Sequence, residues 1–326
     1  MGDGPKVEAI LQGTYEPPQG TSDTTKRWLK RMAIKDKTKL RTAKTSLSEY
    51  RRGWKLIKEQ TASGELHMGH FKAGSIHKNL SWVHFQMSMI PMSTGYSPHR
   101  WRKGINVMLL KKPDVYLLEK LRTIVLYEAD FNHENKRLGR NAMRMAISQG
   151  LIAKEQFSRP GRSAQDNALA KRLVFDYYRL KKKPFAMCAC DLKACYDRVV
   201  HNAASLALQR VGIPLNDIKC MFGTIQQLVH RIRTAFGLSN STYGGTWKRY
   251  RKPPQGLGQG NGAGPTIWSV LSSTIFEELH VRGYSTSFCF ALSRGLFRSC
   301  GFSYVDDCDL IASGDTASVV FDRIQE

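Results

Sequence analysis

The chain has 326 residues, 41% of them hydrophobic, and carries 50 Lys+Arg against 27 Asp+Glu for a formal charge of +23. That is enough apolar material for one large domain or two lobes, and the cationic excess points to a polyanionic partner such as nucleic acid. No apolar run is long enough to cross a bilayer, no basic helix carries a clean apolar face for a membrane surface, and the first residues lack a signal-peptide core.

Lys6 stands where a myristoylation signal wants Ser or Thr. The seven cysteines show no CxxC pairing and read as free thiols in a reducing, intracellular setting, with nucleus and cytoplasm left open.

Residues 1–60 read as a basic N-terminal extension. Residues 1–25, rich in Gly, Pro, Thr and Gln, are expected to be disordered. Residues 26–52 are basic and helix-compatible, either a solvated face or a contact for a phosphate backbone. His67, His70 and His77 invite a metal hypothesis, but no Cys or acidic ligand accompanies them at zinc-like spacing. The apolar stretch 81–90 reads as a buried helix closed by Pro91 and Pro98.

Two apolar runs, 105–110 and 124–126, predict short strands, with Lys111-Lys112 after the first and Arg122 before the second. Two short strands with cations between them could present those charges to a phosphate chain, although Lys and Arg at strand ends are usually only solvated. Residues 134–151 have helical character. Pro160-Gly161 predicts a turn and Ser163 the N-cap of a helix through Tyr177, ending at Lys181-Lys182-Lys183.

The apolar run 185–190 reads as a buried strand ending in Asp191. A carboxylate there is expensive unless paired or metal-bound; capping the next helix suits Asp197 better. Helices are expected over 199–211 and 215–229, and a hairpin within 231–251. The Gly-rich stretch 254–265 then leads into an apolar helix over 266–279, and such a loop brings backbone N–H groups close to phosphates or bases.

Near the end, Tyr304-Val305-Asp306-Asp307 lies between apolar runs, the pattern of strand, tight turn and strand. Taken alone, Asp306 and Asp307 are equally a hairpin tip that uses Asp because turns favour it. Asp191 changes the balance, because two-metal phosphoryl transfer gathers carboxylates from separate strands around cations about 3.5–4 Å apart.

These pieces, in this order, resemble a reverse transcriptase of the non-LTR retrotransposon and group II intron type. Tyr304-Val305-Asp306-Asp307 is similar to the family's Tyr-x-Asp-Asp turn, and Asp191 with Tyr196-Asp197 to its first palm motif. Gln259-Gly260 followed by Pro265 matches the Gln-Gly-x4-Pro pattern between them. Leu121-Arg122-Thr123-Ile124 resembles the fingers motif Arg-Pro-Ile with Thr123 in place of proline. Residues 157–166 resemble Gly-Phe-Arg-Pro-Gly-Arg-Ser with one residue altered or lost near Ser158. Residues 61–73 resemble the Ser-Gly-x-His-x-Gly-His-x-Lys-Ala stretch ahead of the fingers, so the likeness spans 61–312.

The resemblance implies an α+β fold: a right-hand polymerase palm over 184–326, an antiparallel sheet with helices on one face, and fingers over 61–183. The chain stops at Glu326, shortly after the turn; the palm is therefore expected to be incomplete at its C-terminus and the thumb absent. The implied activity is RNA-templated DNA synthesis from dNTPs on a DNA primer. Asp191, Asp306 and Asp307 would hold two Mg²⁺ ions, with Mn²⁺ an alternative. Arg122, with Lys112, would grip the triphosphate, Tyr196 would exclude a ribose 2′-hydroxyl, and Gln259 and Gly260 would line the nucleotide and template base. Two other readings stand beside this one. A viral-type RNA-dependent RNA polymerase usually carries Gly-Asp-Asp at the turn and a polar residue where Tyr196 stands. An inactive remnant would bind nucleic acid only. The likeness implies no oligomeric state.

Overall fold

A computed structural model describes residues 4–34, 45–58, 60–115, 117, 120–192, 194–245, 255–289 and 295–325. The fold is mixed α+β. The N-terminal residues expected to be disordered form helices α1 (Gly4–Gln12) and α2 (Asp23–Arg31), the latter started by Ser22, whose hydroxyl accepts from the Thr25 N–H. Composition misled because the stabilising contacts are remote. Trp28 donates to Thr274 Oγ1 at 3.1 Å, and Arg27 and Arg31 both pair with Glu278. The expected basic helix is therefore divided: α2 ends at Arg31, α3 (Leu47–Lys55) begins behind a Ser46/Glu49 capping box, and 35–44 lie outside the described residues.

Helices α4 (Met68–Ile76) and α5 (Lys78–Thr94) follow. His67 and His77 serve as their N-caps, their Nδ1 atoms accepting from Gly69 N–H at 3.0 Å and Leu80 N–H at 3.3 Å. Helix α5 differs from the expectation of a buried helix closed by Pro91. It runs through Pro91 to a left-handed Gly95, and Trp82, Val83, Met87 and Ile90 face solvent. Pro91 is accommodated because it sits in the last turn, where little helix remains to be broken.

The two predicted strands are β1 (Lys103–Leu110) and β2 (Leu121–Tyr127), paired antiparallel with Arg122 opposite Leu109. Strands β4 (Val229–Thr234), β5 (Gly237–Leu238) and β6 (Tyr243–Gly244) complete a five-stranded mixed sheet. In it β4 runs parallel to β1, and 246–254, part of the expected hairpin, lie outside the described residues.

Helix α6 (Ala129–Ser148) is largely buried. It forms the main core with α8 (His201–Arg210), α9 (Leu215–Gln226) and α10 (Gly264–Val281). Helix α7 (Ala164–Leu180) begins at Ser163 as expected, in a capping box with Asp166.

A second sheet, antiparallel and in the order β3 (Phe185–Asp191), β10 (Asp307–Ser313), β9 (Gly301–Tyr304), rests on α7 through Val174, Tyr178, Phe302 and Ile311. A short pair, β7 (Thr286–Cys289) with β8 (Leu296–Ser299), precedes β9, and α11 (Ala317–Gln325) lies beside β3 and β10.

Strand β3 corrects one expectation: it stands at a sheet edge and is half-buried to exposed along its length. Its residues 186–190 are mostly Ala and Cys, too small to report burial by themselves. Asp191 therefore does not end a buried strand, and what sets it apart is its cross-strand neighbour Asp307.

Candidate active site

Strands β9 and β10 are joined by the shortest of hairpins. Tyr304 pairs with Asp307, so the tip is Val305 and Asp306, one residue earlier than the expected Asp306-Asp307, and Asp307 is the first residue of β10. Val305 has φ +59° and Asp306 is not left-handed, which is the type II′ pattern that normally takes glycine first. A β-branched residue in that region costs of the order of 1–3 kcal/mol and persists only where its surroundings enforce it. One enforcing contact is visible: Trp268 Nε1 on α10 donates to the Val305 carbonyl at 2.7 Å.

The same register places Asp307 directly opposite Asp191 on β3. Side chains so placed share one face of the sheet, with Cβ atoms about 4.5–5.5 Å apart, and like charges there repel. Asp309, two residues further along the same face, is neutralised by Lys171 of α7. Among the described residues no cation pairs with Asp191, Asp306 or Asp307, although Asp191 and Asp307 are exposed and Asp306 half-buried. Their donors are of the hard-oxygen type that suits Mg²⁺, but the carboxylate oxygens of Asp191, Asp306 and Asp307 do not all converge within 4.8 Å of one another in this structure.

The Gly-rich loop is fixed on three sides. The Val125 N–H donates to Gln259 O at 2.7 Å, the Tyr127 hydroxyl to Leu257 O at 2.7 Å, and the Leu257 N–H to Tyr196 O at 2.8 Å. Gly260, at φ +120°, passes so close to β2 that a Cβ would lie 2.3 Å from Val125 O. Asn132 of α6 holds the loop from beneath, its Nδ2 donating to Gly260 O at 2.9 Å and its Oδ1 accepting from Gly262 N at 2.7 Å. At the loop's start, buried His201 stacks on Phe222, contacts Gly256 O through Nε2 at 2.5 Å and receives Gln226 Nε2 on Nδ1 at 2.8 Å. Burial holds the imidazole below its ordinary pKa, opposed in part by the bond to Gly256.

These constraints bring Arg122, Tyr196, Gln259, Gly260 and Asp306 to the walls of one cleft of about 460 Å³. The Tyr196 ring lies against Gly264, where a Cβ would sit 3.6 Å from it. Burial, reinforced by the Asp306 charge, raises the Tyr196 hydroxyl well above its usual range and pushes the Cys195 thiol up to about 12. Asp191 opens into a separate hollow of about 370 Å³ lined by Cys195, Val199 and Trp268. Lys112 lies exposed in the turn beyond β1, apart from the residues that line the cleft.

Sequence reasoning missed Asn132, Trp268 and His201. None stands in a recognisable pattern; each acts through a contact more than 30 residues away along the chain. No protein-family model and no curated protein matches this chain.

Proposed function

We propose that this chain is the catalytic region of an RNA-directed DNA polymerase that adds deoxynucleotides to a primer 3′-hydroxyl. One observation carries the reading: Asp191 faces Asp307 across a ladder whose turn directs Asp306 to a cleft walled by Arg122, Tyr196 and Gln259. In this reading the Asp-bearing sheet is the palm, and the β1–β2 pair belongs to the fingers.

Asp191, Asp306 and Asp307 would hold two Mg²⁺ ions. When bound, these supply activation of the primer hydroxyl and neutralisation of charge on the triphosphate and departing pyrophosphate. Arg122, projecting from β2, offers a planar donor fork to the triphosphate. The Tyr196 ring, backed by Gly264, fills the space next to a ribose 2′-carbon and so favours dNTPs. Gln259 and Gly260 present backbone and amide groups to the nucleotide from a loop that cannot shift without breaking its bonds to β2. The +23 charge supplies the affinity for an RNA template and DNA primer.

The test is primer extension on an RNA template in Mg²⁺ with dNTPs or NTPs. Extension with dNTPs, abolished by Asp306→Ala while hybrid binding persists, supports the reading. Preference for NTPs would assign an RNA polymerase instead. Salt-sensitive binding of the hybrid without extension in Mg²⁺ or Mn²⁺ would leave nucleic-acid binding alone.

A further inference from the structure

At the far end of β9 from the Asp-bearing turn, three side chains of different metal-binding chemistry meet. Glu155 lies between α6 and α7, His280 in the last turn of α10, and Cys300 at the corner between β8 and β9. A carboxylate oxygen, an imidazole nitrogen and the sulfur lie within 4.8 Å of one another. Glu155 and Cys300 are each 2% exposed.

Glu155 Oε1 accepts from His280 Nε2 at 2.8 Å and from the Ser299 hydroxyl at 3.1 Å, whereas buried Oε2 has no partner among the described residues. A buried carboxylate oxygen left without a donor is costly, so its persistence calls for an explanation. Among the described residues, the Cys300 sulfur has one long hydrogen-bond contact, 3.8 Å to Phe276 O. His280 Nδ1 is held by the Ser285 hydroxyl, which aims Nε2 at Glu155, the arrangement in which an imidazole presents one nitrogen to a metal and anchors the other.

We propose that Glu155, His280 and Cys300 form a zinc site separate from the oxygen-donor site at the turn. Sulfur, nitrogen and oxygen donors at about 2.3, 2.0–2.1 and 2.0–2.2 Å are the usual zinc set, and a water completes the tetrahedron. Binding displaces two protons: the Cys300 thiol proton passes to solvent, and the His280 Nε2 proton is replaced by one on Nδ1, which then donates to the Ser285 hydroxyl oxygen. A thiolate and a carboxylate then cancel the two charges of the cation, so the buried cluster is neutral. Thiolate and imidazole select zinc over Mg²⁺.

The site braces the hairpin. The Ser303 N–H on β9 donates to Glu155 O at 2.8 Å and the Phe157 N–H to Ser303 O at 2.8 Å. A cation joining Glu155, the end of α10 and Cys300 therefore fixes the strand that leads into Tyr304.

The experiment does not depend on the polymerase reading. The full chain, stripped by chelation, is titrated with Co²⁺. The expected result is a thiolate-to-cobalt charge-transfer band in the near ultraviolet that saturates at one equivalent and is displaced by one equivalent of Zn²⁺. The band should disappear in Cys300→Ser and shift or weaken in Glu155→Gln, yet persist in Cys308→Ser and Asp306→Asn. Chain that is folded by circular dichroism and gives no such band, or a band that survives Cys300→Ser, overturns the proposal. The wild-type titration decides even where a variant fails to fold.

Discussion

The indole N–H of Trp268 reaches the carbonyl oxygen of Val305 at 2.7 Å, so helix α10 holds the turn that carries Asp306 and leads into Asp307. Trp268→Phe keeps most of the ring but leaves Val305 O without its donor. The expected loss is about 1–3 kcal/mol of stability, together with a lower rate of extension because Asp306 is no longer held. Val305→Gly relieves the left-handed backbone and should recover part of that stability in the Trp268→Phe background. Thermal unfolding of the four chains checks this; a Trp268→Phe chain with unchanged midpoint and rate sinks it.

Asp191 and Asp307 are opposed across β3 and β10 with no cationic partner among the described residues. If they share metal ions, neutralising either one should cost activity but relieve repulsion. Asp191→Asn and Asp307→Asn are therefore expected to match or slightly exceed the wild-type unfolding midpoint without divalent cation. Extension should fall by more than the roughly 10–100-fold that follows loss of an outer-shell metal partner. Stability measured with and without Mg²⁺ separates the roles: a midpoint that drops in both variants without metal would make these carboxylates structural.

The turn, the β1–β2 pair, the Ser163 cap and the Gly-rich loop before α10 were legible because each is written in neighbouring residues: Asp-Asp between apolar runs, Ser with Asp three positions on, glycines ahead of an apolar stretch. What escaped is set by partners distant in sequence. Nothing near Asp191 says that it will face Asp307, since register depends on how β3 meets β10. Nothing near Trp28 says that it will dock on Thr274, which is why the N-terminal residues read as disordered. The Ala- and Cys-rich strand β3 read as buried because hydropathy counts side chains and not neighbours, and at a sheet edge neighbours are missing on one side.

Gly260 illustrates how closely the loop is bound to β2. Gly260→Ala combines φ +120° with a Cβ 2.3 Å from Val125 O, and backbone cannot yield as a flexible side chain does. The loop should move off β2 at a cost of at least about 1–3 kcal/mol. Because Gln259 moves with it, the KM for dNTP should rise more than hybrid affinity falls. Steady-state kinetics beside hybrid binding gives the split, and equal losses in both would mean that the loop serves the fold and not the nucleotide.

Tyr196 and His201 make separable contributions on either side of that loop. Tyr196→Ala opens the space against Gly264 and should admit NTPs, lowering discrimination against the 2′-hydroxyl at least tenfold while dNTP use persists. Single-nucleotide incorporation of dNTP against NTP reads this directly. Unchanged discrimination would remove Tyr196 from that role.

His201 tests the support of the loop through pH. Its imidazole is neutral when folded and its pKa is depressed by burial, whereas in the unfolded chain it takes a proton below about 6.5. The unfolded state therefore binds more protons in that window, so the His201 contribution is complete above the unfolded pKa and is lost as pH falls towards the folded one. Asp217, pushed up to about 6 by burial, titrates in the opposite sense nearby, so the wild-type profile alone mixes the two. The difference between wild type and His201→Gln isolates the histidine. The unfolding midpoint of wild type should decline relative to the variant between pH 7.5 and 5.5, and dNTP KM should rise over the same interval as protonated Nδ1 can no longer accept from Gln226 Nε2 and the ring that supports Gly256 O is displaced. Parallel midpoints across that range would show that protonation of His201 does not reach the loop.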